Sequence, residues 1–268
     1  MKLLRHAAGV LLAAASLLAS PAYPTSFTTD QSDLWYIQAE SGWGIELVHR
    51  ASVVFATLFV YDTTGTPVWY VATMQYTGSS FAWTGDLYTT TGPYFGTVPF
   101  NPANVTATKV GTMTWSAQTV NTGTLTYVVN GVTVNKNIVR ETLANDDFSG
   151  HYGGGFHSVI TSCINPAQDG TVEKIGVFDI TQSGQSFKLQ STPATGASCS
   201  YPGTLVQFGQ MGDVSGTYSC TDGATGTFFL YEIQVNVTGV TGRFSASASL
   251  PPGCQSTGWF GGLRVTTY

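Results

Sequence analysis

Along most of this chain apolar and polar positions alternate residue by residue, in short runs broken by glycine, proline and asparagine. In Gly44-Ile45-Glu46-Leu47-Val48-His49-Arg50 that period places Ile45, Leu47 and His49 on one face, with Trp43 ahead of them, and Glu46 and Arg50 on the other. Val53–Tyr61 is rich in β-branched and aromatic residues. The turn Asp62-Thr63-Thr64-Gly65-Thr66-Pro67 then leads into a returning arm over 68–76. Strands are predicted next over 81–89, 105–115, 124–129 and 132–142. A loop holding Pro93, Pro99 and Pro102 precedes the second of these, and Asn130-Gly131, a strong hairpin signal, joins the last two. No stretch of about twelve residues carries a helical stripe.

Asn145-Asp146-Asp147 marks a boundary, after which the pattern resumes. Strands are predicted over 151–161, 172–181, 186–191, 203–210, 214–220, 226–237, 239–248 and 258–266. The fold class is therefore all-β, with two antiparallel meander domains over 33–143 and 148–268. Each is a small up-and-down β-barrel or a sandwich, with no substantial helix after the leader. A short echo, Val60-Tyr61-Asp62-Thr63-Thr64 against Val177-Phe178-Asp179-Ile180-Thr181, hints that the halves share an architecture.

The N-terminus changes the picture of where this protein works. Lys2, Arg5 and His6 precede an apolar run from Ala7 to Leu18, and Ala19-Ser20-Pro21-Ala22 offers a cleavage site after Ala22. Residues 1–22 thus read as a signal peptide, and the apolar run is shorter than the roughly 20 residues that span a bilayer. The expected localisation is exported, either secreted or periplasmic, without integral membrane insertion. Only 9% of residues are charged and the formal net charge is -5, becoming more acidic once Lys2 and Arg5 leave. That balance argues against nucleic acid, whose partners carry basic patches, and the polar surface is left to neutral Thr, Ser, Gly and Asn.

Cys163, Cys199, Cys220 and Cys254 all fall in the second domain. An even count in an exported chain reads as disulfides, and the spacings are too wide for a CxxC metal site. In a meander the four lie in alternate connections, hence at one end. Neighbouring connections favour Cys163–Cys199 with Cys220–Cys254. Pairing Cys199 with Cys220 and Cys163 with Cys254 stays open.

No nucleophile elbow, zinc-protease helix, dinucleotide fingerprint or P-loop is present. His151 and His157, six apart, would stand about 20 Å from each other on one strand, so no metal site and no cofactor are expected. The aromatic residues, 13% of the chain, are the better signal. Trp35, Trp43, Trp69, Trp83 and Tyr88, with Glu40 beside the glycines of Ser41-Gly42-Trp43-Gly44, are the candidate ligand-binding residues. Indole and phenol faces suit sugar rings and small apolar molecules.

Several stretches resemble a module of secreted proteobacterial proteins. They are Glu40-Ser41-Gly42-Trp43-Gly44-Ile45, Phe55-Ala56-Thr57, Tyr61-Asp62, Gly65-Thr66-Pro67-Val68-Trp69, Thr90-Thr91-Gly92-Pro93, Val98-Pro99-Phe100-Asn101-Pro102 and Val129-Asn130-Gly131-Val132. Glu46 departs from the pattern, where Asn is expected. Gly216-Thr217-Tyr218-Ser219-Cys220 and Gly239-Val240-Thr241-Gly242-Arg243-Phe244 are similar to the companion domain of such proteins. The resemblance implies binding rather than catalysis and carries over no catalytic residues. The leading expectation is a secreted, non-catalytic binding protein for a glycan, an extracellular polymer or a small apolar ligand. A hydrolase or lyase using carboxylates such as Glu40 and Glu46, and a structural or adhesive surface protein, are the alternatives. The oligomeric state is not legible.

Overall fold

The computed structural model describes residues 29–249 and 251–265. The chain folds as two closed antiparallel barrels of eight strands each, connected in sequence order. The expected signal peptide lies outside the described residues. The first barrel comprises β1 (Asp33–Tyr36), β2 (Gly44–Arg50), β3 (Val53–Tyr61), β4 (Pro67–Tyr76), β5 (Ala82–Thr91), β6 (Thr106–Ala117), β7 (Thr122–Val129) and β8 (Val132–Arg140). The second comprises β9 (Gly150–Thr161), β10 (Gly170–Ser183), β11 (Ser186–Pro193), β12 (Cys199–Phe208), β13 (Met211–Cys220), β14 (Thr225–Val235), β15 (Gly239–Ser247) and β16 (Gln255–Arg264). Closure leaves no sheet edge in either half, which settles barrel against sandwich. No helix among the described residues is long and apolar enough to cross a membrane.

One strand is missing from the pattern reading. β1 has four residues, too few to show alternation, yet it pairs with both β2 and β8 and so closes the first barrel. The sequence echo does not mark equivalent positions. Tyr61 ends β3 and faces outward, whereas Phe178 lies mid-strand in β10 and faces inward.

The first barrel is filled by its own side chains. Trp35, Trp83 and Trp115 are each 0% exposed and pack among Ile45, Leu47, Leu58, Met74 and Met113. The Trp35 and Trp115 rings lie 4.6 Å apart. Both indole N–H groups donate to Gln31, at its backbone oxygen (3.0 Å) and its side-chain oxygen (3.3 Å), so their burial leaves neither donor unmet. Gly123 is required here, because a Cβ would sit 2.1 Å from the Trp115 ring.

Where the barrels meet, buried Arg140 donates from Nε to the carbonyl of Val120 (2.8 Å), and from Nη1 to the carbonyl of Ser32 (3.0 Å) and to Asp33 Oδ2 (3.1 Å). Its Nη2 donates to the carbonyl of Asp30. Asp33 Oδ2 also accepts from the backbone N–H of Gln210 (3.0 Å), in the turn between β12 and β13. Gly209 makes that approach possible: its φ is +57°, and a Cβ would fall 2.0 Å from Asp33 Oδ2.

The preferred disulfide pairing is corrected. The bonds are Cys163–Cys254 and Cys199–Cys220, the arrangement that the spacing argument left open. Cys199 is not in a connection: β12 begins at Cys199 and β13 ends at Cys220, making the two direct cross-strand partners. Cys163 follows β9 and Cys254 precedes β16, neighbours through barrel closure. Cys163 and Cys199 have β10 and β11 between them. All four cysteines do lie at one end, away from the first barrel.

Candidate functional site

The second barrel is not filled to its end. A cavity of about 240 Å³ occupies its interior on the disulfide side, where Ala197, Cys199, Cys220, Asp222, Ala224 and Ser256 form the rim. The opposite end is closed by Phe148, Tyr152, Val214, Ile233 and Val240, all buried. The difference from the first barrel lies in the inward rows. β9 turns Tyr152, Gly154, Phe156 and Ser158 inward, β15 turns Gly242, Phe244 and Ala246, and β16 turns Ser256, Gly258 and Phe260. Large rings alternate with small residues, and the small residues toward the rim leave the volume.

The walls are aromatic. Phe156 meets Phe244 edge to face (6.2 Å between centroids), as Phe178 meets Phe260 (5.9 Å) and Tyr201 meets Phe228 (5.4 Å). Tyr201 and Tyr218 stack at 5.3 Å. Burial, with Tyr218 close by, pushes the Tyr201 phenol up to about 12, and burial also raises that of Tyr218. Both hydroxyls therefore remain neutral donors at any physiological pH. Ser158, 5% exposed, adds a third hydroxyl, and Lys174 stands at the rim. The chamber can exclude water from an apolar body and offer a few polar contacts near its mouth.

The residues singled out from sequence fall into three places. Trp35 and Trp83 are core and present no surface to a ligand. Trp43 and Glu40 come together at the far end of the first barrel. The indole N–H of Trp43 donates to Glu40 Oε2 (3.1 Å), and Lys136 Nζ lies 2.7 Å from the same oxygen and 5.7 Å from the Trp43 ring centre. The Lys136 hydrogen bond, helped by that of Trp43, holds the Glu40 carboxyl below the usual carboxylate range, which suits an anchor and not a proton donor. Glu46 and Arg50 face outward on β2. Trp69 and Tyr88 stand on the outside of the barrel. Trp69, 50% exposed, lies opposite Phe59, 46% exposed, and Tyr88 lies opposite Val71. With Phe55 they make an outward aromatic strip.

His151 and His157 do not meet each other. His151 Nδ1 is 2.6 Å from Asp179, while His157 Nδ1 is 3.0 Å from Glu173 and its ring stacks on Trp259 at 4.1 Å. No group of three metal-ligating side chains occurs among the described residues.

The cavity residues escape a reading based on tryptophan, because five of the six tryptophans lie in the first domain. The signal that finds them is the period-two alternation of Phe with Gly, Ala or Ser on β9, β15 and β16. Comparison with known proteins adds no assignment: no family model, curated protein or solved structure matches this chain.

Proposed function

We propose that this is an exported, non-catalytic binding protein whose ligand is a small apolar molecule held inside the second barrel. The observation that carries the reading is the aromatic-walled cavity of about 240 Å³. An apolar cavity of roughly 150 Å³ takes benzene, so there is room for one ring and a short arm. Barrel closure and the two disulfides at the rim keep the chamber formed without ligand, which lowers the ordering cost of binding. The disulfides fit an oxidising compartment. The leader-like N-terminus and the resemblance to secreted modules support export and binding over catalysis.

The test is calorimetric titration with phenethyl alcohol of the wild-type protein and of Ala246→Trp, which fills the chamber, with the fold checked by circular dichroism. Saturable binding lost in the folded variant supports the interior site, and equal binding by both contradicts it. A second reading rests on the outward strip of Phe55, Phe59, Trp69 and Tyr88, which suits the flat face of a glycan or another extracellular polymer.

A further inference from the structure

Lys174 occupies an unusual place. It pairs with Phe156 of β9, whose ring faces the chamber, and its own side chain lines the cavity at the rim. Its ammonium reaches over Gly196, where a Cβ would stand 2.9 Å from Nζ. Lys174 makes no ion pair among the described residues. Glu173 is taken by His157 on the outer face, and Asp179 by His151. Asp169 accepts from the backbone N–H of Cys163, and Asp222 from that of Ala224. In a chain with only 9% charged residues, an ammonium with no counter-ion among the described residues, beside an aromatic chamber, is a ready partner for a ligand's negative charge.

We propose that the ligand is a monocarboxylate with an aromatic or similarly compact apolar body, its ring inside the second barrel and its carboxylate at Lys174 Nζ. The inference rests on the cavity reading and names the ligand class for it. Phe156, Phe178, Phe228, Phe244 and Phe260 surround the ring, and offset or edge contacts favour an aromatic body over a loose chain. Asp222, also on the rim, lies beyond β11, β12 and β13 from Lys174 around the wall. It opposes a second negative charge, so a dicarboxylate is disfavoured.

The experiment compares phenylacetate with its neutral isostere phenethyl alcohol by calorimetry, in the wild-type protein, Lys174→Met and Lys174→Arg. A charge-assisted contact predicts roughly tenfold tighter binding of phenylacetate by the wild type. That preference, read as the ratio of the two affinities within each protein, should vanish in Lys174→Met and persist in Lys174→Arg. If the wild type binds both compounds equally, or Lys174→Met keeps the preference, the carboxylate assignment is overturned while the cavity reading stands. If the wild type binds neither, both fall together.

Discussion

Asn121 and Asp213 meet across the two barrels through a single hydrogen bond. The Asn121 Nδ2 donates to Asp213 Oδ2 at 3.3 Å, while Oδ1 of each residue is buried without a partner among the described residues. Each of these oxygens needs a donor, and an ionised carboxylate supplies none. Burial pushes the Asp213 carboxyl up to about 6, and the nearby Glu232 charge adds to this. The Glu232 backbone N–H, Asn121 and Arg140 pull it back in part. Protonation removes the charge from this buried site.

The pH dependence follows from the sign of that shift. An unfolded aspartate titrates near about 3.9, so between roughly pH 4 and pH 6 the folded state holds a proton that the unfolded state has lost. Stability from this group is therefore highest below that window and falls as pH rises through it, by on the order of 3 kcal/mol above about pH 6. Asp213→Asn removes the charge. Thermal midpoints measured from pH 4 to pH 8 should show the variant above the wild type at neutral pH, with the difference shrinking toward pH 4. Parallel curves would count against the account.

Arg140 braces Asp33, whose carboxylate reaches the second barrel at Gln210. Its side chain is 0% exposed and paired with Asp33. Arg140→Met leaves that carboxylate and three backbone carbonyls without their donor, at an expected cost of about 3–5 kcal/mol. Urea unfolding measures it. Adding Asp33→Asn to the same chain should recover part of the loss, and a loss under about 1 kcal/mol would show that the cluster is not structural.

The two disulfides should differ in weight. Cys163–Cys254 closes 91 residues and Cys199–Cys220 closes 21. Chain entropy assigns them about 5 and about 3 kcal/mol respectively. Replacing each pair by serine and comparing denaturant midpoints should give the larger loss for Cys163–Cys254. Equal losses would mean that local strand pairing, and not loop closure, sets their contribution.

Much of the fold is legible in the residues because alternation fixes both the strand and its buried face. Ile45, Leu47 and His49 are inward as expected, and Asn130-Gly131 makes its hairpin between β7 and β8. What escapes is set by closure, which no local pattern shows. β1 is too short to alternate, and Cys163 meets Cys254 only because the last strand returns to the first. The chamber of the second barrel escapes for a related reason. A tryptophan announces aromatic surface, but Trp35 and Trp83 spend theirs on filling the first barrel. The chamber exists where small residues such as Ser158 and Ala246 stand beside phenylalanines, and volume left out of a barrel has no residue of its own.

Buried Tyr152 and half-buried Tyr201 separate a structural hydroxyl from one that lines the chamber. The Tyr152 hydroxyl donates to the Phe148 carbonyl at 2.9 Å and accepts from Arg264 at 2.9 Å. Tyr152→Phe should cost about 1 kcal/mol or more in thermal or urea unfolding. Burial and Tyr218 alone account for the raised Tyr201 phenol, so Tyr201→Phe should leave stability unchanged or slightly higher. A loss for Tyr201→Phe as large as that for Tyr152→Phe would place its hydroxyl in the structural network.

The most direct measurement for the central claim is nuclear magnetic resonance of the protein during titration with phenethyl alcohol. The account predicts saturable shifts and ligand contacts at Phe156, Phe228 and Phe244 inside the second barrel. Shifts confined to Trp69 and Phe59 on the outside of the first barrel, or no saturable shift at all, would contradict it.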